Sequence, residues 1–257
     1  AVRFAAQLGF SLHPETEESI RRMAPDLVRL SVERVTRELE LIFKTAHPSK
    51  AIAHLFQLGM IFHLPPFSRW GLVSLPASLP LTALDAVSSR TMRWAILLRL
   101  CGVEPGMAAR RLRELRLPNR DAEIIRRLYE EAVSWPSFLG EEEGKRRIFR
   151  YGARFCQEAL LLSLQMGIID AAVHQTQSER LQRWAEEIPI RRLEDLAVNG
   201  RDLIRAAGLP PGPWVGRTLK QLADAVILGR LTNDHHQLIE EGVRIGRETT
   251  ADSGADD

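Results

Sequence analysis

The 257-residue chain is poor in cysteine. Its two cysteines, Cys101 and Cys156, each lie within an apolar helical pattern. Cysteines so placed provide neither the disulfide framework of a small secreted protein nor the spacing of a zinc site. We therefore expect both to be small core residues of a protein from a reducing cytoplasm.

Lysine is also scarce, with only four positions, so the basic residues are overwhelmingly arginine. Arginine presents a planar fork that matches phosphates and carboxylates, although genomic base composition can also enrich it. The formal net charge is only +2, because 33 acidic residues offset 35 basic ones. A nucleic-acid footprint on this chain must therefore be one face rather than the whole surface.

Motifs that carry independent chemistry are missing as well. The sequence contains neither common glycine-rich phosphate loop, no Asp-x-Asp pair for two metal ions and no His-Glu-x-x-His motif. The neighbouring His235 and His236 would point about 100° apart on a helix, so they do not form a chelating face. We expect no catalytic residue and no metal ligand within this chain.

Long apolar runs are absent too: none reaches the ~18 residues that a membrane span requires, so no membrane partner is expected. The first residues, AVRFAAQLGF, lack an initiator Met and the layout of a signal peptide. They look like the middle of a helix. We therefore expect Ala1 to be a cut point rather than a natural start.

What the sequence does have is helical periodicity from end to end, with almost no alternation of period two. Pro, Ser or Asn at helix starts and Gly at helix ends mark about a dozen short helices. The sequence therefore predicts an all-α fold, an elongated array of these helices. The chain is predicted to divide into four regions, at residues 1–60, 61–155, 156–248 and a disordered 249–257.

Three segments carry a family resemblance. AVRFAAQLGF, followed by SVERVTRELELIF, is similar to an E-D-x-x-R-x-x-R-A-x-R-F helix and an I-S-x-E-R-I-x-x-E-L helix. RLPNRDAEIIRRLYEEA resembles an L-[KR]-x-P-N helix. LAVNGRDLIRAAG and GPWVGRTLKQLADAVILGRLTN resemble a longer pattern, L-x-[IV]-N-G-x-D-L…G-P-x-[IV]-G-x-x-L. In this order they resemble the neck, body and tail of class II CCA-adding tRNA nucleotidyltransferases and the related bacterial poly(A) polymerases.

The resemblance implies a head domain, missing from this chain, that holds two catalytic carboxylates and Mg²⁺. The complete enzyme would add C, C and A to tRNA 3′ ends from CTP and ATP, and the chain alone is expected to be inactive. Only the last Arg of the first pattern falls in this chain, as Arg3, for which the resemblance implies a contact to the nucleotide. A surface ion pair, for example with Glu15, is the alternative. The same helix is predicted to bury Val2, Phe4 and Leu8.

Basic clusters supply candidate RNA-binding residues, because cations of a folded face contact backbone phosphates. Arg110 and Arg111 belong to a group of arginines spread over two neighbouring helices. Arg146, Arg150 and Arg154 recur at i, i+4 and i+8, which would place them on one face of a single helix. For each cluster, a solvated face balanced by nearby Glu residues is the alternative.

The third segment supplies a different kind of candidate. Asn199-Gly200 precedes a helix, where unpaired backbone N–H groups and the positive end of the helix dipole attract a phosphate. Ordinary capping of packed helices is the alternative. The cations beside this helix and the next one complete the predicted RNA-binding set: Arg201, Arg205, Arg217 and Lys220.

Other functions remain open beside this leading hypothesis, in which the partner is tRNA and the location is the cytoplasm. A poly(A) polymerase, or an enzyme that adds only CC or only A, would share these segments and differ mainly elsewhere. A helical RNA-binding module without catalysis is a further alternative. Oligomeric state has no signature in the sequence.

Overall fold

A computed structural model describes residues 1–72 and 80–252, and no residue in these ranges forms a β-strand. The all-α prediction is therefore confirmed. The predicted disordered tail began at residue 249, but the last helix includes residues 249–252, and residues 253–257 lie outside those described. Thirteen α-helices are present in the described ranges: α1 (Val2–Leu8), α2 (Pro14–Met23), α3 (Val32–Ile42), α4 (Pro48–Gln57), α5 (Arg90–Leu100), α6 (Ala108–Glu114), α7 (Asn119–Val133), α8 (Glu141–Tyr151), α9 (Ala153–Gln165), α10 (Ala171–Glu187), α11 (Gly200–Ala207), α12 (Pro213–Ile227) and α13 (His235–Asp252).

The chain divides into two compact units. Of the described residues, the first unit comprises Ala1–Ser137 and Glu158–His174, and the second comprises Phe138–Gln157 and residues 175–252. The four regions expected from the sequence stay a prediction, because compactness alone does not test them.

The core of the first unit is built around α5. All side chains from Met92 to Leu98 are buried, and Leu100 is buried as well. A helix that is packed on every side has no polar stripe, which is why α5 shows no amphipathic pattern. Its main partner is α7, whose Tyr129 is fully buried and donates a hydrogen bond to the carbonyl oxygen of Val103.

A polar cluster centred on Glu40 ties three helices of this unit together. The Glu40 carboxylate accepts hydrogen bonds from Nε and Nη2 of Arg90, both at 2.6 Å, and from the indole N–H of Trp94 at 2.7 Å. Arg90 also donates to Asp121 at 2.9 Å. The hydrogen bonds to Glu40 and then Asp121 outweigh desolvation and raise the pKa of Arg90. Helices α3, α5 and α7 are thereby joined through charged groups.

A second arginine of α5, Arg93, is buried and binds main-chain oxygens instead of a carboxylate. Its guanidinium donates to the carbonyl oxygens of Val87 at 2.9 Å, Leu84 at 3.2 Å and Thr45 at 3.2 Å, and to that of Phe43. Burial lowers the pKa of Arg93. The carbonyls at the end of α3, which lack a helical partner, are satisfied in this way.

The helices of the second unit approach one another closely at glycines. A Cβ atom added to Gly144 in α8 would lie 2.3 Å from an indole carbon of Trp184 in α10. In α13, a Cβ added to Gly242 would lie 2.4 Å from Leu203 of α11, and one added to Gly246 would lie 2.8 Å from Trp214 of α12. The absence of side chains at these glycines lets the helices pack at short range.

We predict that Gly144→Ala lowers the free energy of unfolding by about 1–3 kcal/mol, because the new methyl group meets a rigid buried indole. The matched control is Gly216→Ala in α12, where an added Cβ has no neighbour within 4 Å. This control should raise the free energy of unfolding by about 0.5–1 kcal/mol, since Ala is the better helix former. Urea denaturation of both variants measures the two signs, and two stabilised variants would contradict the close packing at Gly144.

We also predict that Glu40→Gln lowers the free energy of unfolding by about 1–2 kcal/mol, because Arg90 and Trp94 lose a charged acceptor. The expected loss in the free energy of unfolding is small because the Arg90 side chain is 39% exposed and solvent replaces part of the interaction. Glu18→Gln is the control: that carboxylate is 70% exposed and lies 3.6 Å from Arg21. Equal denaturation midpoints for both variants would rule out a special role for Glu40.

Candidate nucleic-acid interface

Arg3 joins the first helix to the third. Its Nε donates to Glu38 Oε2 at 3.0 Å, and its Nη1 lies 3.4 Å from Gln7 Oε1. The guanidinium carbon also lies 4.4 Å from the ring centroid of Phe4. The surface ion pair considered from the sequence therefore exists, but its partner is Glu38 and not Glu15.

Arg3 also lines a cavity of about 310 Å³ in the first unit. The lining is mainly apolar, with Leu30, Leu39 and Leu64 among its residues, and Arg3, Arg34 and Glu38 supply the charged groups. Of the three residues predicted to be buried by α1, only Val2 is; Phe4 is 54% and Leu8 57% exposed. The prediction for Phe4 and Leu8 was wrong because the short helix has packing partners on one side only.

Arg110 and Arg111 both bind one carboxylate, Glu114. Arg110 Nε lies 3.1 Å from Oε1 of Glu114, while Arg111 Nη1 lies 3.0 Å from Oε2, which also accepts the Trp70 indole N–H at 2.8 Å. Burial opposes ionisation of Glu114, but these three donors prevail and lower its pKa. Arg111 is only 19% exposed, so of the two predicted residues Arg110, at 66%, is the more accessible.

The basic run of α8 is largely neutralised inside the second unit. Arg146 forms a bidentate pair with Asp224 of α12, at 2.7 and 3.0 Å, and the pair lowers the pKa of Asp224. Lys145 is buried between Glu141, at 2.7 Å, and Glu187, at 2.8 Å. The alternative in which nearby acids hold this run is therefore realised for its first part.

Arg146, Arg150 and Arg154 do not share one helix, and this prediction was wrong. Helix α8 ends at Tyr151, Gly152 has a positive φ of 88°, and Arg154 belongs to α9. The i+8 spacing therefore crosses a break in the helix and no longer places Arg154 on the same face. Arg150 remains exposed, with its guanidinium carbon 5.8 Å from the ring centroid of Tyr151.

The start of α11 is closed by a capping box rather than left open. The side-chain oxygen of Asn199 accepts hydrogen bonds from the N–H groups of Arg201, at 2.9 Å, and Asp202, at 3.2 Å. The Asp202 carboxylate in turn accepts from the Asn199 N–H at 3.1 Å. At Gly200, an added Cβ would lie 2.9 Å from Val215, so this glycine serves close packing. Two of the N–H groups predicted for an anion site at Asn199-Gly200, those of Arg201 and Asp202, are thus occupied.

Four of the predicted RNA-binding cations differ from Arg111 and Arg146 because they hold no carboxylate in the part of the chain that the structure describes. They are exposed, and their side chains have no ion pair or hydrogen bond within the described residues. Two lie one turn apart on α11 and two lie nearly one turn apart on α12, so each pair shares a helix face. These residues are Arg201, Arg205, Arg217 and Lys220.

Sequence reasoning missed Arg69, which lies in a short 3₁₀ turn, Phe67–Arg69, of the first unit. It is exposed and has no side-chain partner within the described ranges. Arg69 lines a pocket with Arg110, Arg113 and Arg116. No sequence signal links a single arginine in a Pro-rich stretch to a helix some 40 residues later, so only the structure could identify it.

Two further kinds of site, a metal site and a membrane span, concern the described residues as a whole. No group of three or more His, Cys, Asp or Glu side chains among the described residues is arranged to hold a metal ion. His235 and His236 are both exposed at the start of α13. None of the described helices has the length and apolar character to cross a membrane.

Two family models match the chain. Residues 86–241 match the model described as "tRNA nucleotidyltransferase domain 2 putative". Residues 9–69 match the model described as "Probable RNA and SrmB- binding site of polymerase A". The first match alone spans well over half of the 257 residues.

Curated proteins similar to the chain are CCA-adding enzymes. That of Bacillus velezensis is 32% identical over 243 residues, which are 93% of this chain and 58% of the relative. That of Geobacillus stearothermophilus is 31% identical over 241 residues, again 93% of this chain and 57% of the relative. The chain thus spans somewhat more than half the length of the curated relatives it matches.

Among solved structures, the Bacillus stearothermophilus CCA-adding enzyme in complex with CTP is similar over 98% of this chain and 61% of that one. The TM-score is 0.79 and the sequence identity 27%. The family model, the curated relatives and this structure agree with the motifs quoted above. The chain therefore belongs to the tRNA nucleotidyltransferase family.

Proposed function

We propose that this chain is the tRNA-binding and nucleotide-templating portion of a CCA-adding enzyme, which extends tRNA 3′ ends with C, C and A from CTP and ATP. The observation that carries this proposal is the set of exposed, unpaired cations on α11 and α12, within a chain whose relatives are CCA-adding enzymes. A protein that acts on tRNA would work where tRNA is found, and we propose the cytoplasm as its location.

The lack of an internal ion pair at these cations supports a role in RNA binding. A guanidinium or ammonium group that already holds a carboxylate must exchange it for a phosphate, whereas an unpaired group only loses water and counterions. Helices that present such cations hold the RNA backbone without reading bases, as expected for recognition of RNA by its shape. Arg146 and Arg111, which hold carboxylates, are weaker members of the predicted set for the same reason.

We predict that the double variant Arg205→Gln/Arg217→Gln binds tRNA about 10-fold more weakly than the wild-type chain and has a shallower salt dependence. The physical reason is the loss of two cations that contact phosphates. Filter binding of one tRNA at several salt concentrations measures both the affinity and its slope.

The matched control is Arg244→Gln in α13 of the same unit, because Arg244 is exposed but already bonded to Glu241 at 2.5 Å and Glu248 at 2.7 Å. It should change the affinity for tRNA by less than about two-fold. Equal losses of affinity per positive charge removed would show that only total charge matters. Equal retention of an unrelated single-stranded RNA by the wild-type chain would count against a tRNA-specific function.

We further propose that the catalytic carboxylates and Mg²⁺ belong to a head domain outside these 257 residues. The described residues hold no cluster that fits a metal ion. What this part of the enzyme would contribute is therefore binding: the exposed cations hold the tRNA, and Arg3 orients the nucleotide.

The role proposed for Arg3 rests on its position in the lining of the cavity in the first unit, which Glu38 and Arg34 also line. In a protein that also carries the head domain, Arg3→Ala should raise the KM for CTP and ATP about 10-fold or more, because a charge-assisted hydrogen bond is lost. The Kd for tRNA should stay within about two-fold. Unchanged kinetics for both nucleotides would assign Arg3 to the ion pair with Glu38 alone.

A poly(A) polymerase is the second candidate, and the match of residues 9–69 to the polymerase A model favours it. The two candidates differ in product. An enzyme with the head domain that extends tRNA by more than three nucleotides, or that extends unrelated RNA with A, would be a poly(A) polymerase.

A further inference from the structure

A pocket of about 330 Å³ in the first unit is lined mainly by arginines. We call it the Arg69 pocket. Its charged groups come from the 3₁₀ turn before residue 70, from α6 and from the residues just after α6. The residues that line it are Val32, Arg69, Arg110, Arg113, Glu114 and Arg116.

The balance of charge in the Arg69 pocket is strongly positive. Four guanidinium groups face a single carboxylate, Glu114, and that carboxylate is already held by Arg111, which does not line the pocket. One further acid, Glu33, pairs with a pocket arginine: its Oε1 lies 3.9 Å from Nε of Arg116. Because both of these side chains are 68% exposed, that pair is weak.

Most N–H donors of these arginines are unused. Arg110 gives only its Nε to Glu114, and Arg113 gives only its Nε to the carbonyl oxygen of Ala109 at 3.3 Å. Arg69 has no side-chain partner within the described residues. Since each guanidinium carries five N–H groups, the terminal nitrogens remain available to an anion with several acceptor oxygens.

The backbone of Arg116 is the second, independent observation. Its φ is 55°, and within residues 1–72 and 80–252 it is the only residue other than glycine with a positive φ. It directly follows the C-cap of α6, a position where glycine is favoured because it has no Cβ. A side chain kept at a strained backbone position indicates that the side chain itself is needed.

We propose that the Arg69 pocket binds a backbone phosphate of the RNA held by this chain, an inference that rests on the proposed function. The ligand chemistry is a phosphate oxyanion held by the terminal nitrogens of Arg69, Arg113 and Arg116. An RNA backbone, rather than a free phosphate, fits a pocket that is open on an exposed face and lined by exposed arginines.

Arg116→Gly is the most informative variant, because it separates stability from binding. Glycine relaxes the strained backbone, so the melting temperature should stay the same or rise, while the affinity of the chain for tRNA should fall about 3- to 10-fold. Arg69→Gln and Arg113→Gln should lower the affinity to a similar extent, each with a salt slope reduced by about 1.

The control is Arg22→Gln in α2, which removes one exposed positive charge from the same unit but not from the pocket. It should change tRNA affinity less than two-fold, about the limit expected of a general charge effect. If the pocket variants lose no more affinity than this control, the proposal is overturned. If the wild-type chain binds tRNA and the pocket variants bind it equally well, only this proposal is overturned. If the wild-type chain binds no RNA, the proposed function is overturned as well.

Inorganic phosphate distinguishes the two sources of the oxyanion. Inorganic phosphate should compete with tRNA for the wild-type chain only at millimolar concentration, because a free phosphate makes one of the many contacts that tRNA makes. If phosphate raises the melting temperature of the wild type but not of Arg113→Gln, and this variant keeps its full affinity for tRNA, the pocket takes a free anion and the proposal is wrong.

Discussion

Ion pairing within the chain decides which of its many arginines remain available to a ligand. Arg146 is held by Asp224, Arg111 by Glu114 and Arg90 by Glu40, all at hydrogen-bond distance. Each of these contacts fixes one helix against another element or stiffens a turn. The cations left without a partner within the described residues include those on α11 and α12 and Arg69 of the Arg69 pocket.

The two kinds of arginine do different physical work. Paired arginines such as Arg90, at 39% exposure, stabilise the fold through charge-assisted hydrogen bonds that water cannot fully replace. Unpaired exposed arginines add little to stability, since a solvated cation gains nothing from folding. A chain with an almost balanced net charge can in this way still present strongly positive local surfaces.

Helix starts and the all-α class were predictable, because they depend on local signals. Ser31, for example, caps α3 by accepting the N–H of Arg34 at 3.3 Å, as its place before an amphipathic run predicted. The break at Gly152 was not foreseen, because a single glycine is tolerated within a helical pattern and the flanking residues are helix formers. Neither could periodicity show that Phe4 is exposed, since that depends on what covers α1.

The candidate site was less accessible to sequence reasoning than the fold. Arg146 is paired because it meets Asp224, which lies 78 residues away along the chain. Arg205 has no such partner in the described part of the chain, and local sequence does not distinguish the two arginines. The Arg69 pocket is likewise formed by residues from separate elements, and only its strained member, Arg116, carries a signal in the backbone. Pairings over such distances are set by tertiary packing and leave no trace in local spacing.

The glycines of α13 have a consequence for the entropy of the RNA binding proposed for this chain. Gly242 and Gly246 let α13 lie directly against Leu203 of α11 and Trp214 of α12. Helices α11 and α12 are therefore closely packed against α13. Their outer cations are then held on backbones that have little freedom left to lose. Ordering on contact with RNA would be confined to the arginine and lysine side chains, so more of each phosphate contact would remain as net affinity.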